Sequence, residues 1–239
     1  MTTYLIYFED TYKFEDDAFI EATGKDENGD FIILNQTLFY PQGGGQPSDF
    51  GTIEVGGVAI PIYKVKCNAN EVRHYTDQRY SHFVGQNAKC YLDQNTRILH
   101  ARLHTAGHLL SNIIENLYSC WKGAKGHHFP GECYVEFTSK NDQFESISLD
   151  LVKQEIEKCI EANSLITIDQ ISSDALQERC PGITYSIPSN QPIRIMCIGD
   201  FPFSPCGGTH VKSLKELKGL EISKYKIKGN RMKVHYQLN

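Results

Sequence analysis

The hydrophobic pattern of this chain changes near Asp93, and this change constrains the fold more than any other feature. Before it, short apolar and β-branched runs alternate with Gly, Asn and Asp turns, which is typical of strands. After it, apolar residues recur every three or four positions over residues 96–118, which predicts an amphipathic helix of about six turns. The sequence therefore predicts a β-rich part followed by a part that contains helices.

The predicted fold class is α+β, with a small N-terminal β-barrel domain over residues 1–93 and an α+β domain over residues 94–239. The strands predicted in the first domain are 4–8, 18–23, 31–35, 52–55, 58–65 and 88–92. The second domain has a further predicted helix at 149–162, and its predicted strands are 134–137, 166–171 and 193–198. A closing hairpin is predicted, with arms at 221–227 and 232–238 and a turn near Gly229.

The composition is that of an ordinary globular chain. With 239 residues and 40% hydrophobic residues, it can bury a core without disulfides or metal, so we expect any metal site to be functional. No apolar run reaches the roughly 18 residues of a membrane span, and the first residues turn acidic before a signal-peptide core develops. We expect a cytoplasmic protein without membrane association. Its eight cysteines contain no CxxC pair and are expected to be free thiols unless they bind metal.

Charge is distributed unevenly along the chain, whose net charge is -5. Residues 1–30 hold nine acidic side chains and two lysines, whereas residues 212–235 hold eight basic side chains and two glutamates. This asymmetry indicates that one end could contact a polyanion. A solvated basic face without a partner is the alternative on charge alone.

Two histidines, His104 and His108, lie four residues apart in the predicted long helix, so both imidazoles project from one face and one metal ion could bind both. Cys206 and His210 repeat this spacing in the segment Cys-Gly-Gly-Thr-His. The two pairs together are the ligand types that tetrahedral zinc prefers, so the sequence predicts one zinc ion per chain. Structural histidines and a buried thiol beside a flexible turn are the alternatives. The sequence leaves open whether all four residues bind or one position stays available to water.

A glycine-rich segment, Phe-Tyr-Pro-Gln-Gly-Gly-Gly-Gln-Pro-Ser-Asp at 39–49, is the other unusual stretch. Three consecutive glycines remove every Cβ and could let backbone amides approach a ligand. The segment lacks the Gly-Lys-Ser/Thr ending of a phosphate-binding P-loop and the spacing of a dinucleotide fingerprint. A tight turn between strands is the alternative interpretation.

The segments FYPQGGGQPSD, HTAGH and PCGGTH, in this order, resemble the editing domain of alanyl-tRNA synthetases and its freestanding relatives, the AlaX alanyl-tRNA editing proteins. The resemblance covers nearly the whole chain, from LNQTLFYPQGGGQPSDFG to the terminal hairpin, and the additional N-terminal β domain is similar to that of the medium-length type. It implies a fold related to the threonyl- and alanyl-tRNA synthetase editing domains. It also implies zinc at His104, His108, Cys206 and His210.

On this resemblance we expect an ATP-independent aminoacyl-tRNA deacylase that removes serine, or glycine, from alanine tRNA in trans. A synthetase pocket shaped for alanine cannot firmly exclude these two amino acids, so a second site must remove them after charging. The candidate catalytic residues are Gln46, which we rank first, Thr37 and Thr209. The candidate substrate-binding residues are Gly43, Gly44, Gly45, Gly207 and Gly208.

Several alternatives stay open at this point. The substrate could be another mischarged tRNA, such as threonine tRNA carrying serine, or the chain could be a non-catalytic zinc-stabilised RNA-binding module. Asp200 is either a support for a metal-bound imidazole or a loop cap. We expect His100 to be partly exposed on its helix, and His127 and His128 to be surface residues. The sequence does not determine the oligomeric state, and a monomer is compatible with it.

Overall fold

The computed structural model describes residues 2–139, 145–181, 183 and 192–239. Two compact units make up the chain, Met1–Ala101 and Arg102–Asn239. The division falls inside helix α1, Gln94–Leu117, which is the long helix that the hydrophobic period predicts. The assignment of domains to residues 1–93 and 94–239 stays a prediction. Among the described residues, no helix is both long and apolar enough to span a membrane.

The first unit is almost entirely β structure. Its strands, interrupted by short 3-10 helices at Ile6–Phe8 and Ser81–Phe83, are β1 (Tyr4–Leu5), β2 (Glu15–Asp26), β3 (Gly29–Leu34), β4 (Gln36–Thr37), β5 (Gly51–Val55), β6 (Val58–Ile62), β7 (Lys64–Asn68), β8 (Glu71–Thr76) and β9 (Asn87–Leu92). Seven of them form an antiparallel sheet in the order β6-β5-β9-β2-β3-β8-β7, and β1 pairs with β4 in parallel. Alternate residues of these strands, such as Ile20, Ile53 and Ile60, are fully buried in the core.

The structure does not show the predicted small β-barrel as a closed one, because the described strands form an open sheet. Strands β6 and β7 are its two edges, and they are not paired with each other in the described part of the chain. Pro61 lies in β6 and has no N–H group to donate, which restricts such a strand to a sheet edge. The single strand predicted at 58–65 is likewise two strands. The chain changes partner at Tyr63, whose N–H donates to the carbonyl of Tyr75 in β8.

A buried ion pair fixes the glycine-rich segment inside the first unit. Arg97, which is 0% exposed, contacts the carboxylate of Asp49, which is 1% exposed. The guanidinium also donates to the backbone carbonyls of Thr11 and Leu38, and Asp49 accepts from the Tyr40 N–H. Both buried charges therefore have hydrogen-bond partners, which is the condition under which such a pair is tolerated.

The second unit holds the rest of helix α1 and two further antiparallel sheets. Its elements are β10 (Trp121–His127), β11 (Tyr134–Ser139), α2 (Leu149–Ala162), β12 (Ile166–Ile171), α3 (Leu176–Arg179), β13 (Ile193–Ile198), β14 (Ser204–Pro205), β15 (Leu220–Lys228) and β16 (Arg231–Leu238), with a 3-10 helix at Leu214–Leu217. The strand orders are β10-β11-β16-β15 and β12-β13-β14. The predicted helix at 149–162, the predicted strands at 166–171 and 193–198, and the closing hairpin are confirmed.

Helix α1 packs on one face of the four-stranded sheet in this second unit. The Tyr236 hydroxyl of β16 donates to the Leu103 carbonyl of the helix at 2.9 Å. Gly123 of β10 lies so close to the helix that a Cβ there would overlap the Ser111 side chain. Phe137 and Met232 on this inner face are fully buried. The sheet therefore has one face against the helix, and its other face is free of it.

We predict that Arg97→Met destabilises the protein by about 3–5 kcal/mol, because it leaves the Asp49 carboxylate buried without its counter-charge. Urea unfolding followed by circular dichroism measures the loss. Arg79→Met removes the same charge from an exposed position and is expected to stay within about 0.5 kcal/mol of the parent. Equal stabilities of the two variants would contradict this account of the pair.

Candidate metal centre

Helix α1 positions a buried and a partly buried imidazole in the second unit. His104 is 2% exposed, and its ring centroid lies 5.0 Å from that of His108, one helical turn later. Residues four apart on an α-helix project from the same face, so the local fold alone brings these rings together.

The loop that follows β14 brings the second pair of donors to the same place. The Cys206 sulfur lies 3.6 Å from His104 Nε2 and 3.2 Å from His210 Nε2. One ligand atom from each of His104, His108, Cys206 and His210 lies within 4.8 Å of the other three. The structure therefore brings together all four residues that the sequence predicts as metal ligands.

The donor set fits zinc. Three imidazole nitrogens and one thiolate sulfur are among its preferred ligands, and in tetrahedral sites such donors lie about 3.3–3.7 Å apart. The two sulfur to nitrogen distances, 3.6 Å and 3.2 Å, are close to this separation. The residues could hold one metal ion with small side-chain adjustments, and its identity as zinc stays a prediction.

Burial keeps these imidazoles neutral, which is the form that binds metal. It lowers the pKa of His108 to about 4 and the pKa values of His104 and His210 well below the usual value. For the latter two, neighbouring histidines and the Arg194 guanidinium add to the effect. Burial raises the pKa of the Cys206 thiol, whereas the Gly208 N–H and Arg194 lower it.

Thr105 orients one of the imidazoles. Its hydroxyl lies 3.1 Å from His210 Nδ1 and accepts from the Val211 N–H at 3.2 Å. If His210 binds metal through Nε2, its Nδ1 carries the proton and donates to Thr105. A hydrogen bond of this kind to the second ring nitrogen fixes the tautomer of a metal-bound histidine. The sequence leaves Asp200 as either a support of this kind or a loop cap, and in the structure it is exposed in the turn after β13.

Arg194 of β13 holds the Cys-Gly-Gly-Thr-His loop in place. Its Nη1 donates to the Cys206 carbonyl and to the Gly208 carbonyl, both at 2.8 Å. The Gly208 N–H in turn donates to the Cys206 sulfur at 3.4 Å. Within this loop Gly208 and Thr209 are buried and Gly207 is exposed. Arg194 is buried, with 6% of its surface exposed. It was not identified from the sequence.

His128 is a second residue that sequence reasoning missed. It is buried rather than on the surface, and its ring stacks on that of His104 with centroids 4.8 Å apart. Because the Tyr236 hydroxyl donates to a carbonyl, His128 Nδ1 must be the donor in the 2.5 Å contact between them. Burial lowers the pKa of His128 to about 3. A Cβ at Gly107 or at Gly126 would overlap this ring, so both glycines are required for the packing.

The remaining candidate residues lie in the first unit. Thr37 Oγ1 is 2.7 Å from His74 Nε2, and His74 Nδ1 donates to the Ile32 carbonyl at 3.0 Å. Burial lowers the pKa of His74 to about 4, so the ring is neutral and its Nε2 can only accept. The Thr37 hydroxyl therefore donates its proton to His74, while its oxygen accepts from the Phe39 N–H.

The glycine-rich segment forms a tight turn. The Gly43 N–H donates to the Gln46 carbonyl at 3.1 Å and the Gln46 N–H donates to the Gly43 carbonyl at 2.8 Å. Gly44 and Gly45 have φ angles of +53° and +80°, which L-residues with side chains rarely adopt. Gln46 is fully buried. Ligand binding by Gly43, Gly44 and Gly45 stays a prediction, and the turn already uses the Gly43 N–H.

Two other histidines differ in their surroundings. His100 is 3% exposed, so the expectation of a partly exposed position is wrong. His127 is partly exposed and stacks on Phe129 and Tyr134, with ring centroids 4.5 Å and 5.1 Å away.

Comparison with known proteins assigns the chain to a family. Residues 5–96 match the class II (A) tRNA synthetases, and residues 193–233 match the second additional domain of threonyl and alanyl tRNA synthetases. The alanyl-tRNA editing protein AlaX-M of Methanosarcina barkeri is 29% identical over 95% of this chain and 95% of its own length. This chain belongs to the AlaX family of alanyl-tRNA editing proteins. The resemblance carried by the three sequence segments is thereby confirmed.

This chain also matches part of longer relatives. AlaX-L of Pyrococcus horikoshii is 29% identical over 92% of this chain, which covers 54% of that protein. The alanine–tRNA ligase of Methanobrevibacter smithii is 27% identical over 93% of this chain, which covers 25% of the ligase. Both units of this AlaX chain therefore have counterparts in one segment of a synthetase.

We predict that this AlaX protein binds one zinc ion per chain and that His108→Ala abolishes stoichiometric binding, because it removes one of four converging donors. Thr105→Val keeps the donors and loses only the hydroxyl at His210, so we expect a roughly 10- to 100-fold weaker affinity. Metal analysis and competition with a chromophoric chelator measure both. His82→Ala, at an exposed position, is the control. Stoichiometric zinc in His108→Ala would contradict the assignment.

We predict that His74→Phe reduces the loss of stability in acid. The folded-state pKa of about 4 lies below the usual 6.5, so the unfolded chain binds the proton first, and stability falls as pH drops from 6.5 to 4. The total for this one histidine is roughly 3 kcal/mol. Urea unfolding at pH 7 and pH 5 gives the slope, with exposed His82→Phe as control. An unchanged slope in His74→Phe would show that His74 titrates normally.

Proposed function

We propose that this chain is a trans-editing hydrolase that removes serine, and more slowly glycine, from mischarged alanine tRNA. The observation that carries the proposal is the convergence of His104, His108, Cys206 and His210 in a member of the AlaX family. The reaction adds a water oxygen to the ester carbonyl carbon and breaks the bond to the ribose oxygen. The ribose oxygen takes up one proton of the water and becomes a hydroxyl, and the amino acid leaves as its acid, which carries the water's oxygen.

In this proposal the metal site lies where the ester is cleaved. A bound zinc would supply Lewis-acid stabilisation of the charge that develops on oxygen. The chain's own residues keep the donors neutral and fixed: burial removes the imidazole charge, Thr105 sets the His210 tautomer and Arg194 restrains the loop. Gly207, Gly208 and Thr209, which precede His210, are proposed to contact the substrate, with Thr209 orienting the attacking water.

Thr37 is proposed to select serine. Its proton is engaged by His74 and one lone pair by the Phe39 N–H, which leaves its oxygen able to accept one more hydrogen bond. A seryl hydroxyl can donate that bond, whereas an alanyl methyl or a glycyl hydrogen cannot. Sites that pair with a substrate hydroxyl discriminate strongly against analogues that lack it. This orientation favours serine over glycine and spares correctly charged alanine.

Gln46 and the glycine-rich turn are proposed to contact the substrate. Gln46 is fully buried, and its side-chain amide offers both donors and an acceptor. We propose that it positions either the attacking water or the seryl hydroxyl, and that Gly43, Gly44 and Gly45 pass close to the substrate backbone because they carry no side chains. We also propose a cytoplasmic location, where charged tRNA is made and used.

The test of this function is the release of amino acid from pre-charged alanine tRNA by zinc-loaded protein. Serine is expected to leave rapidly, glycine more slowly, and alanine at the rate seen without protein. Release of serine from threonine tRNA, with alanine tRNA left intact, would instead support the alternative substrate. No release from any of these would support a non-catalytic RNA-binding module.

We predict that Thr37→Val lowers kcat/KM for serine release by about 100-fold or more and leaves the alanine rate low, because it removes the acceptor without changing side-chain volume much. Gln46→Ala is expected to lower kcat for serine while thermal unfolding changes little. Thr52→Val, on a partly exposed strand of the same unit, is the matched control. Serine release unchanged in Thr37→Val would remove Thr37 from substrate selection.

A further inference from the structure

The outer face of the four-stranded sheet in the second unit carries a cluster of cations. Cross-strand partners point to the same side of a sheet, and the pairs Lys224 with His235, Lys226 with Lys233 and Lys228 with Arg231 lie in register. Neighbouring Lys125 of β10 pairs with Glu136 of β11. We call this surface the basic sheet face, and its cations are Lys125, Lys224, Lys226, Lys228, Arg231 and Lys233.

Few carboxylates oppose these cations. Glu136 lies within the basic sheet face, 3.4 Å from both Arg231 and Lys233. Glu221 and Glu132 lie at its borders, where Glu132 contacts His127. Lys226 and Lys228 are exposed and form no ion pair with a described residue. A net positive surface on a chain of net charge -5 is the charge pattern that phosphate groups attract.

Aromatic rings lie at one end of the same face. Tyr134 stacks with His127, and the Lys233 ammonium lies 4.3 Å from the Tyr134 ring centroid. His127 also stacks on Phe129, so three rings adjoin the cations. Aromatic side chains beside a cationic groove are the arrangement that stacks nucleic acid bases and contacts the backbone. The residue after His127, His128, is buried against His104, so this end of the sheet lies near the metal centre.

We propose that the basic sheet face binds the tRNA, with lysines contacting phosphates and Tyr134 stacking on a base near the acceptor end. This inference rests on the proposed function for the identity of the RNA. Side chains two residues apart on a strand are about 6.6 Å apart, so Lys224, Lys226 and Lys228 form a row that can follow a phosphate backbone. An acidic protein could satisfy the charges, but it would gain nothing from a stacking ring.

The experiment measures binding of labelled alanine tRNA without an attached amino acid, by fluorescence anisotropy over a range of salt concentrations. The double variant Lys226→Ala, Lys228→Ala is expected to raise Kd by about tenfold or more at 0.1 M salt. It should also reduce the slope of log K against log salt by roughly 1 to 2. Its matched control is Lys153→Ala, Lys158→Ala on α2, which removes the same charge from exposed positions and should change Kd by less than about twofold.

Substitutions at Tyr134 distinguish binding of RNA from binding of other polyanions. Tyr134→Leu is expected to raise Kd by about 5- to 150-fold with an unchanged salt slope, because stacking releases no counterions, and Tyr134→Phe should bind like the parent. An unchanged Kd and salt slope in the lysine double variant would overturn the proposal. The proposal would also be overturned if polyglutamate displaced the labelled tRNA as strongly as unlabelled RNA does. The binding assay uses tRNA without an attached amino acid, so it does not depend on hydrolysis. Tight, salt-dependent binding of this tRNA together with no serine release in the hydrolysis assay would contradict the proposed function and leave this inference standing. Serine release with Kd unaffected by the variants would do the opposite.

Discussion

The close packing of three imidazoles and a thiol, two of the imidazoles buried, is the constraint on which the second unit depends. Charged imidazoles at His104, His108 and His210 would repel one another and lose their hydration, so only neutral rings can be packed there. Neutral imidazoles are also the form that binds metal. The desolvation that disfavours protonated rings therefore keeps these donors in their metal-binding form. The surrounding contacts from Thr105, Arg194 and His128 direct these donors to one point.

The two units impose hydrogen-bond direction in similar ways. In each, a buried histidine donates through Nδ1 to a fixed oxygen, the Ile32 carbonyl for His74 and the Tyr236 hydroxyl for His128. In a neutral imidazole whose Nδ1 donates, Nε2 can only accept a hydrogen bond. A hydroxyl that contacts Nε2 must therefore donate its proton to it. For Thr37 this leaves an accepting oxygen, which is the basis of the proposed preference for serine.

Local periodicity and ligand spacing were sufficient to predict helix α1, helix α2, strands β12 and β13 and the convergence of the four candidate metal donors. Elements shaped by distant neighbours were not predictable. Strand β10 contains Gly123 and Gly126, which have low strand propensity but are needed because Ser111 and His128 lie where a Cβ would be. His128 itself lies two residues after Gly126 and precedes a turn, and no spacing relates it to His104.

The open sheet shows the same limit. A run of apolar residues at 58–65 predicts one strand, yet the chain exchanges partner β5 for β8 at Tyr63, a change that depends on the position of β8. Strand β8 is largely polar in sequence, yet its His74 is buried and has two hydrogen-bond partners. Burial of a polar residue depends on contacts made after folding, which hydrophobic patterns do not contain.

The most direct test of a metal-centred editing site is a zinc titration of metal-free protein, with zinc binding, circular dichroism and serine release from alanine tRNA measured in the same samples. The account predicts a folded but inactive metal-free form, and activity that rises in proportion to bound zinc and reaches its maximum at one equivalent. Full activity without metal would contradict it. Unfolding of the metal-free form, with no serine release after zinc is restored, would show that the four donors serve stability alone.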